Sequence, residues 1–388
     1  MRVVGGVSCE LKGHDECGIR RLNVVPETSS FSFGTLVTSG ASLPHIFEHL
    51  SMSEATISAN HESRAQGLMR RLGANVLILT VTLIITELVL QWLDLAYIRI
   101  GGLSGLGYQH DAELGWLPIP NSTIVASLPG SVTPQHNSLG LRDVELDESD
   151  SRPRILFLGD SLVWGYNVED SERFTELLQP ELPKYRIVNA GVSGYGTDQE
   201  YLLMRRIWEA IKPDVVVLMF SVETDRADNS SNLRYFSYKP YLRRTLDGNW
   251  EFAGQPAPKE RHARLKESRL GQTFMLARLA ISAYVEIRFP RVTVPDPTEQ
   301  LIGMIREFVE AKGAKLVVGV QRDEPQLEAF LQSRGIPSVS FEGAELYAST
   351  KHWTPSGHEL VAQRLLTLFS EGRILSVARQ QNRTGLNP

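Results

Sequence analysis

Ser161 stands in the run Phe157-Leu158-Gly159-Asp160-Ser161-Leu162, immediately after an apolar stretch. A serine at the carboxyl end of a buried strand is presented where open α/β sheets bind their ligands. The glycine before it permits a tight turn. A helix start after it offers backbone N–H groups to a developing anion. Such a residue is suited to nucleophilic attack on a carbonyl carbon. Gly, Asp and Ser are also common turn residues, so the triplet points to chemistry through its position and not its composition. A serine nucleophile needs a base, and His352 is the candidate: it lies in the loop His352-Trp353-Thr354-Pro355, just before a helix start. Read alone, a loop histidine is an ordinary surface residue. A third segment, Asn189-Ala190-Gly191-Val192-Ser193-Gly194-Tyr195-Gly196, is rich enough in glycine to bring backbone close to a substrate. Neither serine turn fits the G-x-S-x-G elbow, because Val163 and Tyr195 occupy the last glycine positions. A dinucleotide loop is excluded as well, since Gln199 falls where its last glycine belongs.

These residues need a scaffold, and the sequence from residue 154 onward supplies one. Short apolar runs at 155–158, 187–188, 215–220, 316–320 and 338–341 alternate with helical patterns at 197–211, 298–312, 325–334 and 355–370. The helix at 197 is expected to open with a Thr-Asp-Gln-Glu capping box. Continuous apolar strands alternating with helices predict a parallel sheet covered on both faces. Five strands give a three-layer α/β/α sandwich of flavodoxin-like winding. The stretch 227–296 interrupts the alternation. It carries Tyr235, Tyr238, Tyr241 and Trp250, then an apolar helix near 273–287, and reads equally as a wall over the ligand face or as a decorating subdomain.

The N-terminal third has a different texture. Residues 1–68 lack a sustained hydrophobic period and are expected to be poorly ordered. Met69, Arg70 and Arg71 precede a long apolar run, a pattern typical of a chain start, so the natural start is expected at Met52 or Met69 and the preceding stretch is expected to be an extension. Residues 72–93 are apolar apart from Asn75, Glu87, Gln91 and several threonines. As a helix they would reach roughly 33 Å, enough to cross a bilayer core. A signal-anchor helix is therefore expected at 69–97, the alternative being a buried core helix, which the carboxylate of Glu87 favours. Arg64, Arg70 and Arg71 lie on its N-terminal side, which places the N-terminus in the cytoplasm and the main domain on the periplasmic or extracellular side. Residues 98–150, rich in Gly, Pro, Ser and Asn, are expected to form a stem, and 373–388 a tail. A net charge of −5 argues against nucleic-acid binding. Both cysteines, Cys9 and Cys17, precede the main domain, so no disulfide framework holds it.

Four blocks in order, RILFLGDSLVWGYNVED, VNAGVSGYGTDQ, DVVVLMFSVETDRADN and KHWTPSGHELVA, resemble the SGNH (GDSL) hydrolase family. The likeness spans roughly residues 112–372, and its approach segment is similar to that of membrane-anchored bacterial members. It implies a hydrolase domain over 151–372. Residue by residue, it implies Ser161 as nucleophile, His352 as base, and an oxyanion hole from Ser161, Gly194 and the residue at position 224. Two positions depart from the pattern. Where the family has an oxyanion-binding Asn, this chain has Thr224, a shorter donor. Where it has an Asp two or three residues before the histidine, this chain has Ser349 and Thr350; Glu342, Glu345 or a backbone carbonyl is left to orient the imidazole. The implied activity is a serine esterase or acyl hydrolase working through an acyl-enzyme, with no metal or organic cofactor. Its implied partner is an ester-bearing substrate, such as an acylated surface polysaccharide. Transfer of the acyl group to a sugar hydroxyl, and a catalytically impaired binding protein of the same fold, are the alternatives.

Overall fold

The computed structural model of the chain describes residues 43–93, 107–124, 132–235, 237–259, 268–371 and 374–375. It divides into two units, Met1–Ile78 and Leu79–Pro388. The first described element is α1 (Leu43–Leu93). From His61 to Leu93 it is long and apolar enough to cross a membrane, and most of its large apolar side chains, among them Leu77, Ile78, Ile84 and Leu88, are exposed. The helix begins well before residue 69. Residues 43–68, expected to be poorly ordered, are helical, because helix formation needs backbone propensity and not an apolar period. After Pro44 this stretch contains no proline and only Gly67. Residues 1–42 and 94–97 lie outside the described residues.

In the second unit, β1 (Tyr108–Asp111) and β2 (Gly115–Pro118) form a hairpin. Then come β3 (Arg154–Gly159), α2 (Ser161–Trp164), α3 (Phe174–Glu181), β4 (Arg186–Gly191), α4 (Thr197–Ile211), β5 (Val215–Phe220) and α5 (Asp225–Asn229). The interrupting stretch holds two small hairpins, β6 (Leu233–Arg234) with β7 (Ser237–Tyr238) and β8 (Tyr241–Arg244) with β9 (Trp250–Ala253). They are followed by α6 (Arg269–Thr273) and α7 (Met275–Arg288). The alternation resumes with α8 (Thr298–Ala311), β10 (Lys315–Val320), α9 (Pro325–Arg334), β11 (Ser338–Ser340) and α10 (Pro355–Glu371).

The main sheet has five parallel strands in the order β11-β10-β5-β3-β4. Counted along the chain, that is the flavodoxin-like order 2-1-3-4-5, with its switch point between β3 and β5. The expected α/β/α sandwich is therefore the fold. Strand periodicity builds its two cores. Leu156, Leu158, Val216, Leu218 and Phe220 point to one face and meet Ile302, Ile305 and Val309 of α8 and Leu327 of α9. Ile155, Phe157, Val215, Val217 and Met219 point to the other and meet Phe174 and Leu178 of α3 and Val361 and Leu365 of α10. With both faces buried, the strands read as unbroken apolar runs.

Three expectations need correction. The described part of the supposed stem is not a free linker: Leu114, Trp116, Leu141 and Arg142 are buried in the domain. Its composition resembles a linker because irregular chain that wraps a core needs turn residues just as a tether does. Ile374, expected in the tail, is buried as well. Finally, α4 is not capped by Thr197. Its N-cap is Gly196, whose N–H reaches the Gln199 side chain at 3.4 Å.

Candidate active site

Ser161 is the first residue of α2, two residues beyond the end of β3, and it is buried. The Asp160 carboxylate caps this turn by accepting from the Leu162 N–H at 2.8 Å. The turn can sit against β4 only because residue 191 is glycine: a Cβ there would lie 2.3 Å from the Trp164 nitrogen. Asn189 ties the same turn down, its side-chain amide donating to the Val163 carbonyl at 2.8 Å. From the other side, the buried guanidinium of Arg142 donates to the carbonyls of Trp164, Gly165 and Val168. Arg142 belongs to the segment the sequence presented as a stem, and nothing in its local pattern announced this role.

His352 comes from the loop before α10, and its Nε2 lies 2.7 Å from Ser161 Oγ. The two residues are 191 positions apart, and the parallel winding brings their loops to the same edge of the sheet. The ring of Tyr166 packs against the imidazole, with centroids 4.5 Å apart and planes at 30°. Burial pushes the pKa of His352 down to about 4, against a weaker upward pull from the backbone of Thr350. Among the described residues, Nδ1 has no hydrogen-bond partner of good geometry. The two acidic side chains considered for that role are engaged elsewhere. Glu345 accepts from Thr354 and Ser356, and Glu342 accepts from the Asp323 N–H. Thr350 turns its hydroxyl to Asn167. The imidazole is therefore positioned by packing against Tyr166, by its contact with the serine and by the adjacent backbone of Thr350.

Gly194 adopts φ +82°, a left-handed conformation open to glycine, and a Cβ there would meet the Tyr235 ring at 2.6 Å. Tyr235, in the interrupting stretch, itself has φ +47°, and the Arg234 guanidinium stacks on its ring at 4.3 Å. Thr224 precedes α5, beyond the end of β5. Its hydroxyl is engaged with Ser221 Oγ at 2.9 Å and lies 3.3 Å from Asp160 Oδ2. Ser161 and His352 are thus in direct contact near the switch point of the sheet, while the Thr224 hydroxyl is turned toward protein partners.

A buried acidic group underlies the site. Asp160, Asp198, Glu200, Asp225 and Asp228 are all buried. Lys239 of the interrupting stretch, also buried, pairs with Asp198. Neither carboxylate oxygen of Glu200 has a hydrogen-bond partner among the described residues. Burial, reinforced by Asp225, Asp160 and the other carboxylates, raises the Glu200 pKa well above the ordinary range. Asp225 is raised well above its ordinary value for the same reasons. Asp228 is raised to about 7, chiefly by burial, with Arg234 and Lys239 opposing. Periodicity alone had placed Glu200 on an ordinary helix.

Residues 157–335 match the family model described as GDSL-like Lipase/Acylhydrolase. None of the curated proteins matches the chain. Among solved structures, the chain is similar to a member of the lipolytic G-D-S-L family from Veillonella parvula, at 14% identity and a TM-score of 0.33, covering 56% of this chain and 98% of that one. It is also similar to the psychrotrophic esterase EstA from Pseudoalteromonas sp., at 13% identity and a TM-score of 0.32, covering 57% and 98%. A third is a GDSL-like lipase from Bacteroides thetaiotaomicron, at 12% identity and a TM-score of 0.31, covering 59% and 93%.

Proposed function

Because this chain carries a domain of the GDSL-like lipase/acylhydrolase family, hydrolases of ester bonds, we propose that Ser161 and His352 are its nucleophile and general base. The observation that carries this reading is the 2.7 Å approach of His352 Nε2 to Ser161 Oγ. That distance is within reach for direct proton transfer.

In the proposed cycle, Ser161 Oγ attacks the ester carbonyl as its proton passes to His352 Nε2. The backbone N–H groups of Ser161 and Gly194 receive the oxyanion. Thr224 adds a third donor only when its hydroxyl leaves Ser221. The imidazolium then protonates the departing alkoxide, leaving an acyl group on Ser161. Water, deprotonated by His352, releases the acid and restores the serine. No carboxylate supports the far side of the imidazole, so the pair works as a dyad. In a triad protease, a mismatched third partner lowers kcat by about 10⁴, so a slow enzyme is expected here.

The proposed domain spans 151–372, with 227–296 as an insertion over the ligand face; the placement of Tyr235 against Gly194 supports a wall there. The apolar run 72–93, within the helix His61–Leu93, is proposed as a single membrane span. Arg64, Arg70 and Arg71 on its N-terminal side put the catalytic domain on the periplasmic or extracellular face. An ester-bearing surface glycan is the substrate class this location makes accessible.

The test is covalent labelling of the full chain with a fluorophosphonate, comparing wild type with Ser161→Ala and His352→Ala. Labelling of wild type at Ser161, lost in the first variant and strongly slowed in the second, is expected. A wild-type protein that is folded and remains unlabelled across pH 5–9 would sink the enzymatic reading.

A further inference from the structure

Helix α7 carries two apolar faces. Met275, Ser282 and Val285 are its buried residues. Leu279, Ala280, Ala283, Tyr284 and Ile287 recur at i, i+1, i+4, i+5 and i+8, which is one continuous stripe on a helix, and all five are exposed. Phe274 and Leu270, just ahead of it, are exposed as well. Arg269 and Arg288 accompany this segment, with Glu286 its one acid between 269 and 288, while Arg278 donates to the carbonyls of Gly271 and Gln272. An apolar stripe with basic companions is the composition of a helix that lies in a bilayer surface.

A second, independent observation fixes where α7 begins. Its N-cap residue, Phe274, provides no side-chain cap. The cap comes from α1: the Glu87 carboxylate accepts from the Met275 N–H and the Leu276 N–H, each at 2.8 Å. Leu90, one turn further along α1, packs on Met275 and Leu276. This accounts for the acid in the apolar run, because its charge is met by two backbone donors and the Gln91 amide. Glu87 lies six residues before Leu93, where Asp94 ends the apolar run 72–93. The first turn of α7 is thus held on the order of 9 Å inside that end. Amphipathic surface helices bury their apolar faces to about this depth. Trp92, exposed near the same end of α1, is the residue type found at membrane–water boundaries.

We propose that α7 is a membrane-surface helix. It is docked on α1 through Glu87 and Leu90, and its stripe from Leu279 to Ile287 is immersed at the level between phospholipid head groups and acyl chains. The occupant of the stripe is lipid. This rests on α1 spanning the membrane. The insertion that carries α7 also carries Tyr235 against Gly194, so one segment joins the bilayer surface to the rim of the site.

The test uses the full chain with Cys9→Ser and Cys17→Ser and one new cysteine at a time. Leu279→Cys and Ile287→Cys report on the stripe, Ile84→Cys on α1, and Leu246→Cys on a fully exposed hairpin position. Each is labelled with an environment-sensitive dye and reconstituted in vesicles of phosphatidylcholine and phosphatidylglycerol at 3:1. Nitroxide-labelled lipid is expected to quench the dyes at 279 and 287 at least twofold, with iodide quenching them far less than the dye at 246. Iodide access at 279 and 287 without lipid quenching overturns the proposal. Shielding from both quenchers also overturns it, and assigns the stripe to a second protein copy. The dye at 84 separates the two levels: lipid quenching there upholds the span whatever α7 does, and its absence removes the span and the proposal together.

Discussion

The imidazole of His352 should remain a base in unusually acidic solution. An unburied histidine titrates near 6.5, whereas burial holds His352 at about 4. Only the neutral ring can take the proton from Ser161, so the acidic limb of kcat/KM follows this ionisation in the free protein. At pH 5 a group with a pKa of 4 is about 90% neutral, whereas one at 6.5 is roughly 3% neutral. The enzyme should therefore keep most of its plateau activity at pH 5, about thirtyfold more than an ordinary histidine would allow. Hydrolysis of p-nitrophenyl acetate measures this, read where nitrophenol and nitrophenolate absorb equally; fluorophosphonate labelling rates give the same profile without a leaving-group ionisation. Asp228, raised to about 7, is one neighbouring group able to add a limb of its own. Asp228→Asn removes that titration, so a limb near 7 that disappears in the variant belongs to Asp228 and not to His352. Half-maximal activity near pH 6.5 in both proteins would refute the reasoning, because it would mean the ring is hydrated and not buried against Tyr166.

Three further outcomes follow from the same geometry. Thr224→Val should lower kcat less than about tenfold, since its hydroxyl is engaged with Ser221; a loss of ~10²–10³, the usual effect of deleting an oxyanion donor, would show that it turns to the substrate. Glu200→Gln should raise Tm at pH 8 and leave it nearly unchanged at pH 4. A carboxyl whose folded pKa is raised stabilises fully below its unfolded value near 4.3, and that stability is lost as pH rises through the folded one; an equal effect at both pH values would argue for repacking alone. Lys239→Met should cost about 3–5 kcal/mol in denaturant unfolding by stranding Asp198, and Lys239→Met with Asp198→Leu should recover most of it; full additivity of the two substitutions would contradict the pairing.

The main sheet was readable from residue order alone, because strands buried on both faces must be apolar at every position and that pattern survives without knowledge of partners. Runs such as 215–220 and 316–320, with helices between them, leave little freedom beyond a parallel sandwich. The residue types at 161 and 194 were legible too, since strand-end turns carry a local signature, whereas His352 stood out only as the base a serine would need and through the family resemblance. What the tertiary structure decided were contacts made across long separations. Arg142 clamps the turn after Ser161 from a segment whose composition resembles a linker. Glu200 and Lys239 are buried among charges that share no local motif. Tyr166 and Tyr235 come to rest on His352 and Gly194, and Glu87, an anomaly in an apolar run, becomes the cap of a helix 188 residues away. Periodicity reports which face of an element is buried. It carries no record of what lies on the other side of the contact, and in this protein that is where the surroundings of the serine and histidine were set.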